Sequence, residues 1–495
     1  MLSTPLPSQA RAFELAFHGL PRLRFQRPPA NVMKFCYSTF RKFSLYTFVM
    51  VASMFTGCSG AGAADLKVAS FNCEITPPLG EPLIWATKRV KVEQPLQAKG
   101  IVLADGTNRY AICALDWCLV ANETQASFRR AIAAGISTSP ERVAVQSLHQ
   151  HAAPYADEGA HRLLDTLNPP VSHLSSNYLD SVRRSLGEAA ANAASRLEPF
   201  DQLGFGQAKV ERIASERRLH DEHGHILTRY SSGAKNPKMA AAPEGHIDPF
   251  LKTITFARGE KPLVRLHYYA THPQTFCCDG RASCDFVGLA REAVEREERV
   301  PEIYFTGCAG NVTAGKYSDG SAEAMAALAE RLKAGMEQSI KNTRFGAATE
   351  LVWRTCTVRM PPRGGLETLA SQSRAWMADP KAPDSHRIYM GAMRLSFFER
   401  LQQPVEVSSL QLGSVHILHL PGEPMIDYQF YAQGLKPSDF VAVAGYGDCG
   451  TAYICTDLAV AEGGYEPEAT NVGKGSEARL KEAIGTLLGV PVPGK

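Results

Sequence analysis

Residues 143–157, VAVQSLHQHAAPYAD, decide how the rest of the chain is interpreted. Apolar residues alternate with other residues ahead of the histidines, which predicts a strand that ends in this stretch. Residues two apart on a strand point to the same side, so His149 and His151 are expected to face one site. Such a pair can hold a metal or contact a substrate, but histidines at strand ends are also ordinary hydrogen-bonding residues. The stretch alone leaves both interpretations open.

Beyond this stretch, predicted strands alternate with predicted helices from Asp65 onward. The strand-like runs, bounded by turn residues, are 67–78, 100–120, 250–273, 302–311, 414–424 and 440–456. The runs with helical periodicity are 121–135, 175–197 and 321–340. No linker, repeat or low-complexity run divides residues 65–495. We therefore predict a mixed α/β (α+β) fold, with layered mixed β-sheets flanked by helices in a single large catalytic domain.

A helical insertion is predicted near residues 365–403. Its two segments, 365–379 and 386–403, carry aromatic residues at positions that look exposed. We expect this insertion to cover a cleft.

Composition excludes some partners. The formal net charge is +3, from 53 Lys and Arg against 50 Asp and Glu, and no basic stripe is interleaved with aromatics. Nucleic acid is therefore not an expected partner. Residues 310–317, GNVTAGKY, nearly match a phosphate-binding loop, but Tyr317 replaces the small hydroxyl that holds Mg²⁺, so no nucleotide is expected. What remains is a glycine loop whose backbone amides present Thr313, a candidate nucleophile or oxyanion site.

The N-terminal residues 1–64 are predicted to be a leader. From Met33, a basic segment is followed by an apolar stretch at 45–55 and then by small residues, which is typical of an export signal. Residues 1–32 are then an upstream extension, although a long leader or an organelle presequence is an alternative. Cleavage after residues 61–63 would give a secreted or periplasmic protein, and a lipoprotein-like box would instead leave Cys58 as a lipid anchor. Residues 65–495 form the predicted hydrolase domain.

The twelve cysteines include no CxxC pair, so a zinc ribbon is not indicated. Cys277, Cys278 and Cys284 lie close together in the sequence. They could form a disulfide if the protein is exported to an oxidising compartment.

Polar residues end several of the predicted strands. Besides the two histidines, they are His272 in LHYYATHPQTF, Glu423 in LPGEP and Tyr453 after GYGDCGTAY. Binding sites in layered α/β folds commonly lie at strand ends, and two histidines with a carboxylate are a common zinc set. Tyrosine is a rarer ligand, because its phenol ionises at neutral pH only beside a cation. Alternatively, Glu423 complements a helix dipole, His272 caps a strand and Tyr453 belongs to the core.

Taken together, these segments resemble the neutral/alkaline non-lysosomal ceramidase family over most of residues 68–470. The resemblance is carried by the order and spacing of six segments, not by any one of them. HQHAAP (149–154) is similar to the family's HTHSGP, YYATHPQTF (268–276) to the segment with its second zinc histidine, and GNVTA (310–314) to its GDVSP loop. PGE (421–423) is similar to the family's glutamate loop, YICT (453–456) with Tyr465-Glu466 to its YxTT and Tyr-Glu, and SCDFVG (283–288) to its SDNxG.

The resemblance implies Zn²⁺ held by His149, His272, Glu423 and Tyr453. It implies that His151 contacts the substrate or the attacking water and serves in proton transfer, for which an unperturbed imidazole is suited. Arg217, Asp285 and Thr313 are the further catalytic candidates that it implies.

The reaction implied is hydrolysis of the N-acyl amide bond of ceramide, giving sphingosine and a fatty acid. Zinc would polarise the amide carbonyl and lower the pKa of a water molecule. A lipid substrate also implies contact with a membrane surface.

The chain departs from the family pattern at several positions. Thr313 stands for a serine, Asn311 for an aspartate, and Ala152-Ala153 for Ser-Gly. The family's C-terminal immunoglobulin-like domain is not expected, because residue 495 leaves no room for it. A hydrolase of another N-acyl or O-acyl substrate, and a non-catalytic metal-binding relative, therefore stay as alternatives, and the oligomeric state stays open.

Overall fold

Three mixed β-sheets form the frame of the protein in the computed structural model, which describes residues 65–379 and 385–490. The strands of the first sheet, in spatial order, are Val143–Ser147, Arg109–Leu115, Gln97–Ala104, Lys67–Glu74 and Glu198–Pro199. Those of the second are Glu302–Thr306, Lys261–Tyr269, Phe250–Arg258, Gln202–Lys209 and Arg344–Ala347. Those of the third are Leu351–Val358, Val405–Leu412, Val415–His419 and Phe440–Ala444.

Each sheet ends in one parallel strand pair, whereas its other pairs are antiparallel. The three parallel edge strands are VAVQS, EIYFT and FVAVA, which are almost entirely buried. Nearly continuous apolar sequence is what a strand covered on both faces requires.

The carboxyl ends of these three edge strands meet. The amide of Ser147 donates to the carbonyl of Tyr446 over 2.8 Å, and the amide of Gly445 donates to the carbonyl of Thr306 over 2.9 Å. The Thr306 hydroxyl in turn donates to the carbonyl of Leu148 over 2.9 Å. The loops that follow the three strands are therefore brought to one place.

Helices cover the outer faces of the sheets, and the three long predicted helices are present within three residues of their predicted bounds. Side-chain caps fix two of their starts, since Ser175 and Ser321 each accept a backbone N–H from the first turn. The α-helices of the described residues are Asn122–Gly135, Glu158–Asp165, Ser176–Ala194, Pro237–Ala241, Asp285–Glu298, Ala322–Lys341, Leu366–Ala378, Ser385–Glu399, Ile426–Leu435, Asp457–Glu462, Tyr465–Ala469 and Ser476–Leu487. Together with the three sheets they confirm the predicted mixed α/β class.

The predicted insertion folds as the helices Leu366–Ala378 and Ser385–Glu399. Its aromatic residues do not all lie where the sequence suggested, because Tyr389 and Phe397 are buried. The second helix, which we call the lid helix, packs Tyr389 against Glu158–Asp165 and places Phe397 in a core cluster with side chains of the third sheet. Tyr389 there makes a 2.9 Å hydrogen bond to His161.

The leader predictions, residues 1–64 with Cys58, lie outside the described residues. Among the helices that the structure describes, none combines the length and apolar character needed to cross a bilayer. The described residues cluster as one compact unit.

Candidate metal centre

His149, His272 and Glu423 converge on one point. The Nε2 atom of His149 lies 3.3 Å from Glu423 Oε2, and the Nε2 atom of His272 lies 3.1 Å from the same oxygen. All three side chains are buried, and one ligand atom from each lies within 4.8 Å of the others.

Each of these three residues follows one strand of a parallel edge pair. His149 follows the edge strand of the first sheet, His272 follows Lys261–Tyr269, and Glu423 follows Val415–His419. The predicted strand conformation at His149 was wrong, because the strand ends at Ser147 and His149 has a left-handed backbone with φ 72°. The two histidines of the opening stretch meet through this turn, not through strand alternation.

Glycine is required where the Glu423 loop turns. Gly422 has φ 58°, and a Cβ atom there would collide with the side chain of Thr451. Gly310 lies so close to the Glu423 carbonyl that a Cβ atom would approach it to 2.5 Å. These two close approaches pack the Glu423 loop against its neighbours.

The protonation of the two imidazoles follows from their backbone partners. His149 Nδ1 lies 2.9 Å from the carbonyl of Cys118, and His272 Nδ1 lies 3.0 Å from the carbonyl of Val312. A carbonyl can only accept, so each Nδ1 carries the hydrogen and each neutral ring directs the Nε2 lone pair at Glu423. Three acceptors thus face one another, an arrangement that a cation would stabilise.

Burial favours the neutral form of both imidazoles. Burial lowers the pKa of His149 to about 4 and lowers that of His272 well below its usual range. Burial also raises the pKa of the Glu423 carboxyl, which nearby positive charge opposes. A divalent cation would supply the charge that this buried carboxylate otherwise lacks.

Tyr453 and Arg217 adjoin this centre. Glu423 and Tyr453 pair in a two-residue parallel bridge, and Arg217 Nη1 donates to the Tyr453 hydroxyl over 3.0 Å. The same Nη1 lies 3.4 Å from His272 Nε2. Burial raises the pKa of Tyr453 well above its usual range, and the Arg217 charge opposes this shift. Glu466, which is fully buried, forms an ion pair with Arg217 over 3.6 Å.

His151 lies on the other side of His149. Its Nε2 atom is 3.3 Å from His149 Nε2 and 2.6 Å from Gln274 Nε2. Cys277 Sγ lies 3.9 Å from its other ring nitrogen. The structure thus brings His151 beside the centre, with Gln274 available to orient it.

A second group of possible ligands, Cys118 with His149 and His151, is less suited to a metal. Burial raises the pKa of the Cys118 thiol well above its usual range, and a thiol must ionise to bind zinc. The His149 nitrogen nearest to this sulfur is Nδ1, which already donates to a carbonyl.

Asp285 and Thr313 are placed differently from the other predicted site residues. The Asp285 carboxylate accepts from the amides of Thr275 and Phe276, at 2.8 and 3.3 Å, and so fixes the loop after His272. Thr313 pairs with His272 through the backbone, while its hydroxyl accepts from the amide of Gly315 over 3.1 Å. Neither side chain makes a hydrogen bond to the three converging residues in the part of the chain that the structure describes.

A disulfide joins the adjacent Cys277 and Cys278, near His151. Cys284, which the sequence grouped with them, is free and buried. Cys284 lies beyond the strand Arg281–Ala282, immediately before the helix Asp285–Glu298, and not in the turn that joins Cys277 to Cys278.

A small cavity of about 40 Å³ adjoins the centre. Its wall includes His149, His151, Glu423 and Tyr453. The lid helix and neighbouring loops supply the other side chains, among them Trp85, Tyr155, Met390, Met393, Arg394, Tyr465 and Asn471. The predicted insertion therefore does contribute to a cleft.

Sequence reasoning missed Gln274 and the two carbonyls that set the histidine tautomers. Gln274 carried a weak signal, since it lies two residues after His272. The carbonyls of Cys118 and Val312 carried none, because every residue has one.

By overall structure, the chain is similar to the neutral ceramidase of Pseudomonas aeruginosa. The TM-score is 0.64 at 15% sequence identity, and the match covers 87% of this chain and 76% of that chain. A second solved structure, a ceramidase complexed with C2, gives a TM-score of 0.62 at 15% identity, covering 87% of this chain and 77% of the other. No family model matches the chain, and no curated protein matches it in sequence. The ceramidase resemblance that the sequence suggested is thus confirmed at the level of the fold.

Proposed function

We propose that this chain, which shares the ceramidase fold, is a zinc-dependent hydrolase of N-acyl amide bonds, acting on ceramide-type lipids to release a sphingoid base and a fatty acid. One observation carries the proposal. The Nε2 atoms of two imidazoles and a buried carboxylate oxygen face one another, with a cavity beside them.

The residues present fit zinc. His149, His272 and Glu423 would hold it, with Tyr453 as the fourth ligand, and each imidazole is already held by a backbone carbonyl as metal-binding histidines usually are. When bound, zinc would polarise the amide carbonyl and lower the pKa of a water molecule from its bulk value to about 7.

The other side chains have roles that their contacts support. His151, half-buried and beside the cavity, would take a proton from the attacking water and return one to the leaving amine. In this hydrolysis the C–N bond breaks, the acyl carbon gains the hydroxyl of water, and the nitrogen gains its proton. Arg217 would hold the Tyr453 hydroxyl, and Asp285 would position the His272 loop.

Thr313 is proposed as a positioning residue, because its hydroxyl accepts a hydrogen bond within its own loop. We further propose that the protein works outside the cytoplasm, either secreted or anchored through Cys58, where it would meet lipid at a membrane surface.

The proposal is tested by incubating the purified protein with N-dodecanoylsphingosine and measuring the released fatty acid. We expect turnover that a chelator abolishes and added zinc restores, and that His272→Ala lowers at least 100-fold. His416→Gln is the matched control, because His416 is a buried histidine that pairs with Asp439 on the third sheet, outside the cavity. Turnover that survives both the chelator and His272→Ala would contradict the proposal.

A further inference from the structure

Arg394, on the lid helix, is a buried cation in the wall of the cavity. Its side chain is 6% exposed, and its Nε donates to Asn471 Oδ1 over 3.2 Å. No described residue accepts a hydrogen bond from its two terminal nitrogens, and no carboxylate of the described residues forms an ion pair with it. Burial, and then the positive charge of Arg363, lowers its pKa below the usual range, but an arginine stays protonated in proteins.

Each of the other buried arginines in the described residues has a carboxylate or several backbone carbonyls as partners for its charge. Arg217 and Arg218 share Glu466, Arg265 pairs with Glu302 at 2.7 Å, and Arg291 pairs with Asp116 at 2.8 Å. Arg229 donates to three backbone carbonyls instead. An uncompensated buried charge is costly, so Arg394 stands out from this set.

The Arg394 side chain is held in place for a ligand. Asn471, itself 6% exposed, donates from Nδ2 to the carbonyl of Gly450 over 2.9 Å, which leaves its Oδ1 to fix Arg394 Nε. The terminal nitrogens remain as a planar fork, the geometry that matches a carboxylate in a bidentate pair.

The acidic side chains nearby are already engaged. Asp157, which also lines the cavity, accepts from Asn122 at 2.8 Å and from the lid residue Ser396 at 2.9 Å. Asp448 pairs with Arg400, the next arginine on from Arg394, at 2.7 Å. Glu423, the other acidic residue that lines the cavity, faces His149 and His272, so no described carboxylate of the cavity wall is left to pair with Arg394.

We infer that Arg394 binds a carboxylate of the substrate, so that the substrates are N-acyl amines bearing a carboxylate, such as N-acyl amino acids, in preference to neutral ceramides. The reaction rests on the proposed function, whereas the carboxylate binding does not. In such substrates the carboxylate belongs to the amine half, while the scissile amide would lie at the metal centre, which lines the same cavity as Arg394.

The test compares N-dodecanoylglycine with N-dodecanoylethanolamine, which have the same chain length but differ in the terminal carboxylate. Binding is measured by calorimetry in the presence of a chelator, where the proposed turnover is blocked. We expect the wild type to bind the glycine compound at least about tenfold more tightly, as a charge-assisted pair predicts. In Arg394→Gln the two compounds should bind within about twofold of each other. Equal affinities in the wild type, or discrimination that survives Arg394→Gln, would overturn the inference.

Two controls separate recognition from structure. Arg374→Gln, on the neighbouring helix and outside the cavity, should keep the wild-type discrimination. Arg394→Gln keeps an amide nitrogen at the position from which Nε donates to Asn471, and it removes an unpaired charge. The thermal midpoint of this variant should therefore be no lower than that of the wild type. A clearly lower midpoint with unchanged discrimination would assign Arg394 a structural role and overturn the inference.

Binding of dodecanoate alone tests whether the site recognises the carboxylate of the substrate or that of the released fatty acid. If it binds as tightly as N-dodecanoylglycine and depends equally on Arg394, the site recognises the released fatty acid, and the substrate assignment is wrong. Turnover is then compared with zinc present, where kcat/KM should favour the glycine compound. Selective, Arg394-dependent binding without hydrolysis of either compound would contradict the proposed function but support the carboxylate site.

Discussion

At the residue scale, the candidate site consists of hydrogen-bond acceptor atoms that face one another without a donor between them. The sequence predicted His149, His272, Glu423 and Tyr453 from residue type and from their places after strands, and the structure brings all four together. It could not predict the tautomers, because these depend on the carbonyls of remote residues. Nor could it predict that Arg394 would have no acidic partner among the described residues, since that depends on every side chain around it.

Glu466 should be a strong determinant of stability, because it is the buried counter-charge of both Arg217 and Arg218. We expect Glu466→Ala to lower the free energy of unfolding by about 3–5 kcal/mol, the usual cost of leaving a buried ion without its partner. Urea denaturation measures this change.

Glu468→Ala on the same short helix is the control, because that side chain is exposed and should change the free energy by at most about 0.5 kcal/mol. Equal, small effects of the two substitutions would show that the pairing with the arginines contributes little.

At the element scale, the sequence predicted three long helices and the two helices of the insertion, because their apolar periodicity is local. It did not predict others, such as Asp285–Glu298 and Ser476–Leu487. The insertion shows the limit of that approach. Its helices were predicted, but the inward direction of Tyr389 depends on packing against a helix more than 200 residues earlier, with which it shares a hydrogen bond spanning 228 residues. The inward direction of Phe397 depends on a core cluster with the third sheet. Local pattern carries no information about such a partner.

The contact between His161 and the lid helix should make stability depend on pH. Burial lowers the pKa of His161 to about 3 in the folded state, whereas an unfolded histidine titrates near 6.5. The stabilisation by the neutral ring is therefore complete above pH 6.5 and is lost as the pH falls below it, since only the unfolded state takes up the proton.

We expect the cost of His161→Leu in unfolding free energy to be smaller at pH 5 than at pH 7.5 by about 2 kcal/mol. Urea denaturation at the two pH values measures it. The exposed His223, substituted in the same way, should show no such difference. A cost for His161→Leu that does not change with pH would refute the assignment.

At the scale of the whole molecule, three sheets with parallel edge pairs meet at their carboxyl ends, and this convergence makes the site. The sequence predicted the fold class and, through the ceramidase resemblance, the overall architecture that the solved structures share. It did not predict which strand pairs are parallel or that three separate sheets contribute, because those pairings join residues far apart in the chain.

The central claim is that His149, His272 and Glu423 hold a cation, and the most direct test is the metal content of the purified protein. We measure zinc per chain by mass spectrometry, after incubation with zinc and removal of the excess, for the wild type, Glu423→Ala and the control His416→Gln. About one zinc in the wild type and in the control, with much less in a folded Glu423→Ala, is the predicted result. A folded wild type that retains no zinc, or a Glu423→Ala that retains as much as the wild type, would contradict the claim.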